Sequence, residues 1–367
     1  MTVFKNCSIV LPERVIPGYV VVEDGLIAEI GFGESPYDGV DFHGDYLVPG
    51  YIDVHVHGAV GHSFHVGDEV GSSKVAEYHL SHGTTTLLMG VEGALDELAK
   101  HLPYKGMPKN VVGIFMEGPF ISPERPGAID PNFIKPADPK GFEEFLTEFG
   151  EQIKYVAIAP EIPMAKELIT TAKRFGIRVS AGHTMSTIEQ LFESIIWGVG
   201  SVCHTFNAMS PLHHREPGVV GGALLYDDLF TEIICDGIHI HPEVVKLLFK
   251  VKPHDKVVAI TDSVALNGMP DGTYGRRMVR GKLITLTNGI TIAGSSLTMD
   301  QAVKNMVSWG IELHKAIRSA TANPAKLLGL TDRGVIAQGL RADLLRLDKN
   351  LDIKEIYVEG VNEVSHQ

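Results

Sequence analysis

Eight short apolar strands alternating with amphipathic helices predict an α/β chain, a TIM-like (β/α)8 barrel, within these 367 residues. Two further observations shape that expectation. Strand-like segments at both chain ends predict a small β-sandwich domain assembled from the two termini. The polar residues able to do chemistry fall at the C-terminal ends of the predicted barrel strands, the face on which such barrels carry their sites.

At the N-terminus, TVFKNCSIV and VIPGYVVVEDGLIAEIG alternate apolar runs with turn signals, and Asp24-Gly25 is a two-residue hairpin signal. The barrel strands are expected at Tyr51–His55, Thr84–Met89, Val111–Met116, Tyr155–Ala159, Ile177–Ala181, Gly200–His204, Thr231–Cys235 and Val257–Thr261. Helices are expected at Phe142–Phe149, Met164–Phe175, Thr187–Trp197 and Pro242–Val251. After the eighth strand, RGKLITLTNGITIAG (Arg280–Gly294) reads as a hairpin turning at Asn288-Gly289, and helices follow from about Thr298 to Leu330. Strand-like Ala342–Asp348 and Ile353–Gly360 close the chain. The expected division is residues 1–49 and 335–367 for the small β-domain and 50–334 for the barrel.

A composition of 44% hydrophobic and 21% charged residues is that of an ordinary globular protein. The net charge of -13 argues against nucleic-acid binding, which needs a basic face. No segment approaches the run of roughly 18 apolar residues that a membrane span requires, and the N-terminus lacks a signal-peptide pattern. The expected partner is therefore neither membrane nor nucleic acid, and the expected compartment is the cytoplasm. Cys7, Cys203 and Cys235 show no CxxC spacing, which supports neither a disulfide framework nor a cysteine zinc site.

Histidine stands out, with 17 residues. His55 and His57 are two apart, so on an extended strand both imidazoles face the same way and can share one ion. Such a pair alone is weak evidence. It gains weight because Glu117, His183, His204 and Asp262 end different predicted strands and converge on the same mouth. Four imidazoles and two carboxylates suit a divalent Zn, Fe, Mn or Co ion and offer too little oxygen for Ca or Mg. Six ligands exceed the need of one tetrahedral ion, so one or two ions per subunit are expected, with Glu117 as the natural bridge. His43, His79, His82, His101, His254, His314 and His366 lie away from the strand ends and read as surface or packing residues. His62 and His65 lie in a loop near the mouth and stay open. Cys203 points away from the side His204 faces and reads as packing.

PGYIDVHVHG, MEGPFISPERPGA, SAGHTMS, HTFNAMSPLHHREPG, ICDGIHI, ITDSVA, IAGSSLTMDQAV, TANPAKLLGL and RGVIAQGLRADLL together resemble the amidohydrolase superfamily and, within it, the N-acetylglucosamine-6-phosphate deacetylases. The likeness spans nearly the whole chain. It implies hydrolytic deacetylation of an amino-sugar phosphate, in N-acetylglucosamine catabolism, with Glu117, His183 and His204 as principal metal ligands. His55 and His57 match the pair that holds a second metal in some members, and Asp262 matches the catalytic aspartate. The resemblance also implies substrate contacts at Ala128, Asn207, Ala208, Arg215, His239 and the loop Ile292, Ala293 and Gly294. It further implies a homodimer or higher homo-oligomer in which the site is completed across the subunit interface.

One position departs from the pattern. Members commonly carry a histidine after the Gly-Ala that follows EGP, and here Gly127-Ala128 is followed by Ile129, which cannot donate a hydrogen bond. Either the metal alone polarises the acyl carbonyl, or His62 or His65 reaches in, or the acyl preference differs. The nearest rival is another metal-dependent amidohydrolase, such as a deaminase, a dihydroorotase-like enzyme or an N-acetylgalactosamine-6-phosphate deacetylase. A non-catalytic barrel predicts lost ligands, and all six are present.

Overall fold

The structure is a computed structural model and describes residues 1–64 and 68–365. His65 and His366 lie outside the described residues.

All eight expected barrel strands form, at Tyr51–Val56, Thr84–Val91, Val111–Glu117, Ile153–Ile158, Arg178–Ala181, Val199–Val202, Phe230–Ile234 and Val257–Ile260. They pair in parallel in chain order. At the mouth the ring is closed by a bridge between Val56 and Ser263, where the His57 amide donates to the Ser263 carbonyl at 2.8 Å and the Asp262 amide to the His55 carbonyl at 2.9 Å. Beneath this closure the first and eighth strands are tied by Thr261 Oγ1, which donates to buried Asp53 at 2.6 Å. The sixth strand stops at Val202 rather than His204 because His204 adopts a left-handed backbone, φ 23°.

Local chemistry sets the helix ends. The helix Pro139–Phe149 begins three residues before the expected Phe142, because Asp138 caps the Gly141 amide at 3.0 Å and Pro139 occupies a first-turn position that needs no donor. Thr187 and Gln190 form a capping box at the start of Ile188–Trp197. Glu69–Ser81, which Asp68 caps, and Gly218–Leu225 lie outside the expected helices, as does the short Leu95–Leu98. Gly218–Leu225 has glycines in its interior, which disfavour helix. Packing explains them: a Cβ on Gly222 would stand 2.5 Å from Leu191 Cδ2, so glycine lets this helix lie close against its neighbour.

The insert after the eighth strand is larger than a hairpin. Gly272–Tyr274, Arg277–Arg280 and Leu283–Leu286 make a three-stranded antiparallel sheet. The expected turn at Asn288-Gly289 does reverse the chain, with the Leu286 amide donating to the Thr291 carbonyl at 2.8 Å, but the return leg adds only a single bridge, Thr285 to Ile292.

Both termini join one eight-stranded sheet, as expected, with Leu344–Leu347 pairing antiparallel to Tyr46–Pro49. Asp24 and Gly25 have φ of 50° and 78°, the left-handed pair that a tight hairpin needs between Arg14–Glu23 and Leu26–Phe32. The sheet folds over on itself. Phe4 on Thr2–Leu11 meets Tyr357 on Ile353–Val358, three strands away, with ring centroids 4.6 Å apart. Ile9, Val20, Ile27 and Leu344 fill the space between the two halves.

His79, on the helix Glu69–Ser81, is fully buried, and burial pushes its pKa from 6.5 down to about 4. The unfolded chain therefore binds a proton that the folded chain refuses, and the stability this neutral imidazole holds above pH 6.5 is lost as pH falls to about 4. The loss is on the order of 3 kcal/mol. Denaturant unfolding of His79→Leu across that window should show a flatter pH dependence than the parent, and identical slopes would refute the assignment.

Candidate metal centre

The strand ends bring all six expected ligands together. Glu117 lies at the centre: Oε1 is 3.1 Å from His183 Nε2, 3.1 Å from His204 Nε2 and 3.4 Å from His55 Nε2, while Oε2 is 3.1 Å from His57 Nε2. Asp262 Oδ1 stands 3.6 Å from His55 Nε2 and 3.7 Å from His57 Nε2. The ligand atoms fall into two groups, each within 4.8 Å of one another: His55, His57 and Asp262 in one, Glu117, His183 and His204 in the other. Glu117 stands between the two groups, with Oε1 toward His183, His204 and His55 and Oε2 toward His57.

Several features show that a cation fits this cluster. The buried Nε2 atoms of His55 and His57 have no hydrogen-bond partner. Nε2 of His183 and of His204 face each other at 3.1 Å. Buried orphan imidazole nitrogens are costly unless a ligand uses their lone pairs. The outer nitrogens are anchored so that the lone pairs point inward. His55 Nδ1 donates to Glu232 Oε2 at 3.0 Å, and His183 Nδ1 donates to the Arg125 carbonyl at 2.8 Å. This is how metal-binding histidines are held in one tautomer. Glu232 is itself fixed, accepting from Tyr155 Oη at 2.5 Å and from the His204 amide at 3.2 Å.

Burial alone would raise the Glu117 pKa, but the charge of His55 and hydrogen bonds from His183 and His204 outweigh it and hold the carboxyl well below its usual range. Burial would likewise lower His55, yet Glu117 and Glu232 carry it well above 6.5. Each group thus favours its charged form because opposite charge is packed against it. The backbone is bent to build the site: His183, His204, Phe206, Ala208 and Asp262 have φ of 47°, 23°, 83°, 49° and 51°. Non-glycine residues avoid this region, and such outliers gather where geometry is imposed by function.

The cluster opens into a cavity of roughly 430 Å³. Of the expected substrate contacts, Ala128, Asn207, Ala208, His239, Ile292 and Gly294 line it. Two do not. Ala293 is fully buried beneath its loop, its amide donating to the Ile284 carbonyl at 3.0 Å, because the insert's return leg turns it inward. Arg215 is exposed on an outer loop with Nη1 2.8 Å from His214 Nε2, so within one chain it does not reach the cavity. His239 is held by Asp236, whose Oδ2 lies 2.6 Å from Nδ1; burial lowers its pKa, but that carboxylate carries it above the usual value. Ile129 lines the cavity and is buried, whereas His62 turns toward Lys74, with Nε2 3.4 Å from Nζ.

Glu92, Arg125 and Arg277 also line the cavity and were not expected from the sequence, nor was Glu232 beside it. Glu232 had a legible signal, a charged residue inside the apolar run TEIIC. Glu92 follows the second strand, where the same rule about strand ends applies. Arg277 comes from the insert, and nothing in its local sequence places it at the mouth.

A closed parallel barrel with imidazoles and carboxylates converging at its C-terminal mouth defines a protein built to hold a divalent cation beside a substrate cavity. Comparison with known proteins narrows the class. The amidohydrolase family pattern matches residues 46–364, and the chain belongs to the amidohydrolase family. It is 35% identical to the N-acetylglucosamine-6-phosphate deacetylase of Bacillus subtilis (strain 168), covering 95% of this chain and 93% of that one. It is 32% identical to the N-acetylgalactosamine-6-phosphate deacetylase of Escherichia coli O157:H7, over 92% and 93% of the two chains. Among solved structures, an N-acetyl-D-glucosamine-6-phosphate deacetylase mutant from Mycobacterium smegmatis, in complex with N-acetyl-D-glucosamine-6-phosphate, superposes with a TM-score of 0.92 at 28% identity, over 99% of each chain.

Glu232 accepts from His55 Nδ1 and so would orient this imidazole toward a bound ion; Glu232→Gln should lower metal affinity by about 10- to 100-fold while the protein stays folded. Chelator competition with metal analysis reads this directly, and unchanged affinity would remove Glu232 from the site.

Proposed function

We propose that this protein hydrolyses N-acetyl-D-glucosamine 6-phosphate to D-glucosamine 6-phosphate and acetate. The observation that carries the reading is the six-ligand cluster at the floor of a sugar-sized cavity. The deacetylase relatives, similar over nearly their whole length, support the substrate.

His55, His57, Glu117, His183, His204 and Asp262 would hold one or two ions of Zn, Fe, Mn or Co. Such an ion, when bound, supplies Lewis acidity and lowers the pKa of water to about 7. Asp262, at the cavity wall beside His55 and His57, accepts the proton of the attacking water and returns it to the departing nitrogen. Asn207 and Ala208, on the strained turn after the sixth strand, position the sugar, and His239 with its Asp236 partner meets the phosphate as a charged donor. Ile129 supplies no hydrogen bond to the acyl carbonyl.

Arg215 lies outside its own chain's cavity, and a second subunit presenting its Arg215 would bring a bidentate phosphate donor to the site. We therefore read the protein as a homodimer or larger homo-oligomer. We also treat residues 1–49 with 335–367 and residues 50–334 as two domains. Among the described residues no helix is long and apolar enough to cross a membrane. The three cysteines are free and buried, which supports a reducing compartment, the cytoplasm.

Acetate release tests the reading, with N-acetylgalactosamine 6-phosphate, dihydroorotate and adenine as competing substrates. N-acetylglucosamine 6-phosphate should give the highest kcat/KM, and Asp262→Asn should cut kcat by roughly 10²- to 10⁴-fold with little change in KM. A parent enzyme that releases no acetate from either hexosamine phosphate would contradict it.

A further inference from the structure

Beside the main cavity lies a second one of roughly 340 Å³. The two share His57, Glu92, Ala128 and Arg277, so they meet at the metal cluster. Beyond that junction the second cavity runs under the insert and opens to solvent, walled by Phe133, Ala265, Tyr274 and Leu286 and by polar Ser63 and the Asp130–Arg276 ion pair. Ala128, Tyr274 and Leu286 pack onto a small apolar cluster built from Val264, Val279 and Ile284.

Its position around the barrel gives it a direction. The strands run in chain order around the ring, so the first and second strands lie across the mouth from the fifth and sixth. Asn207 and Ala208 follow the sixth strand and His239 follows the seventh. His57 and Glu92, at the entrance to the side cavity, end the first and second. An amide whose carbonyl carbon sits at the cluster has its nitrogen, and hence the sugar, toward Asn207 and His239. Its acyl chain then points the opposite way, past Ala128 and buried Ile129, into the side cavity.

A group the size of a water molecule occupies on the order of 30 Å³. The side cavity is far larger than an acetyl methyl needs, and Ile129, on the wall of the adjoining main cavity, is apolar where the family pattern has a hydrogen-bond donor. We propose that the side cavity is an acyl subsite and that the enzyme removes acyl groups longer than acetyl, of three or four carbons, from the same amino-sugar phosphate. The step is unchanged in its bonds. Water oxygen joins the acyl carbon, the C–N bond breaks, and the proton passes to nitrogen, giving butyrate and the free amine from an N-butyryl substrate. This inference rests on the deacetylase reading above.

The test compares kcat/KM for N-acetyl-, N-propionyl- and N-butyryl-glucosamine 6-phosphate on the holoenzyme. The N-butyryl substrate should stay within about tenfold of the N-acetyl one, whereas a closed methyl pocket rejects each added methylene by roughly tenfold or more. Narrowing the cavity with Leu286→Trp, or with Tyr274→Trp where the first variant fails to fold, should lower the butyryl-to-acetyl ratio at least about tenfold. Hydrolysis of the acetyl substrate alone, or a ratio that neither variant moves, overturns the acyl subsite and leaves the deacetylase reading standing. Hydrolysis of none of the three overturns that reading instead.

Discussion

The structure is organised around one constraint: a buried carboxylate, Glu117, ringed by imidazoles whose inner nitrogens all face it. Its oxygens stand 3.1 Å from three of them, and two of those, on His183 and His204, are themselves 3.1 Å apart. Protons can satisfy some of these contacts but not all, because the outer nitrogens of His55 and His183 already donate to Glu232 and to the Arg125 carbonyl. Divalent positive charge satisfies them together, since every inner lone pair then has a partner. Removing such a group from a dry interior would leave unpaired polar atoms at a cost of kilocalories each.

Everything around the cluster serves to hold it. The barrel closes through the same residues, with the backbone of His55 and His57 bonded to Asp262 and Ser263. Asp53 and Thr261 fasten the first and eighth strands one layer below. The left-handed turns at His183, His204 and Asp262 carry these side chains off the strand ends into the mouth. That strain persists because strands on either side over-determine it. The insert does a different job. It roofs the cavity, adds Arg277, and leaves the side space that gives the acyl chain somewhere to go.

The fold was legible in the sequence because barrel strands are short apolar runs alternating with helices, and their ends carried the chemistry. The six ligands could be read for the same reason, each standing at or just past the end of such a run. Other features resisted. The glycine-rich Gly218–Leu225 is a helix through close packing that no propensity records. Glu232 stood out as a charge inside an apolar strand, but its role is visible only once His55 is seen to lean on it. Arg215 was expected in the cavity from a motif, yet its side chain turns to His214 on an exposed loop. Arg277 reaches the mouth through a three-stranded insert whose placement is purely tertiary.

The central claim is that this cluster binds the ion on which hydrolysis depends. It is tested most directly by stripping the protein of metal and titrating Zn, Fe, Mn or Co back while following bound metal and acetate release together. The account predicts negligible turnover in the stripped protein and recovery that saturates at one or two ions per chain. Full activity in protein shown to be metal-free would contradict it.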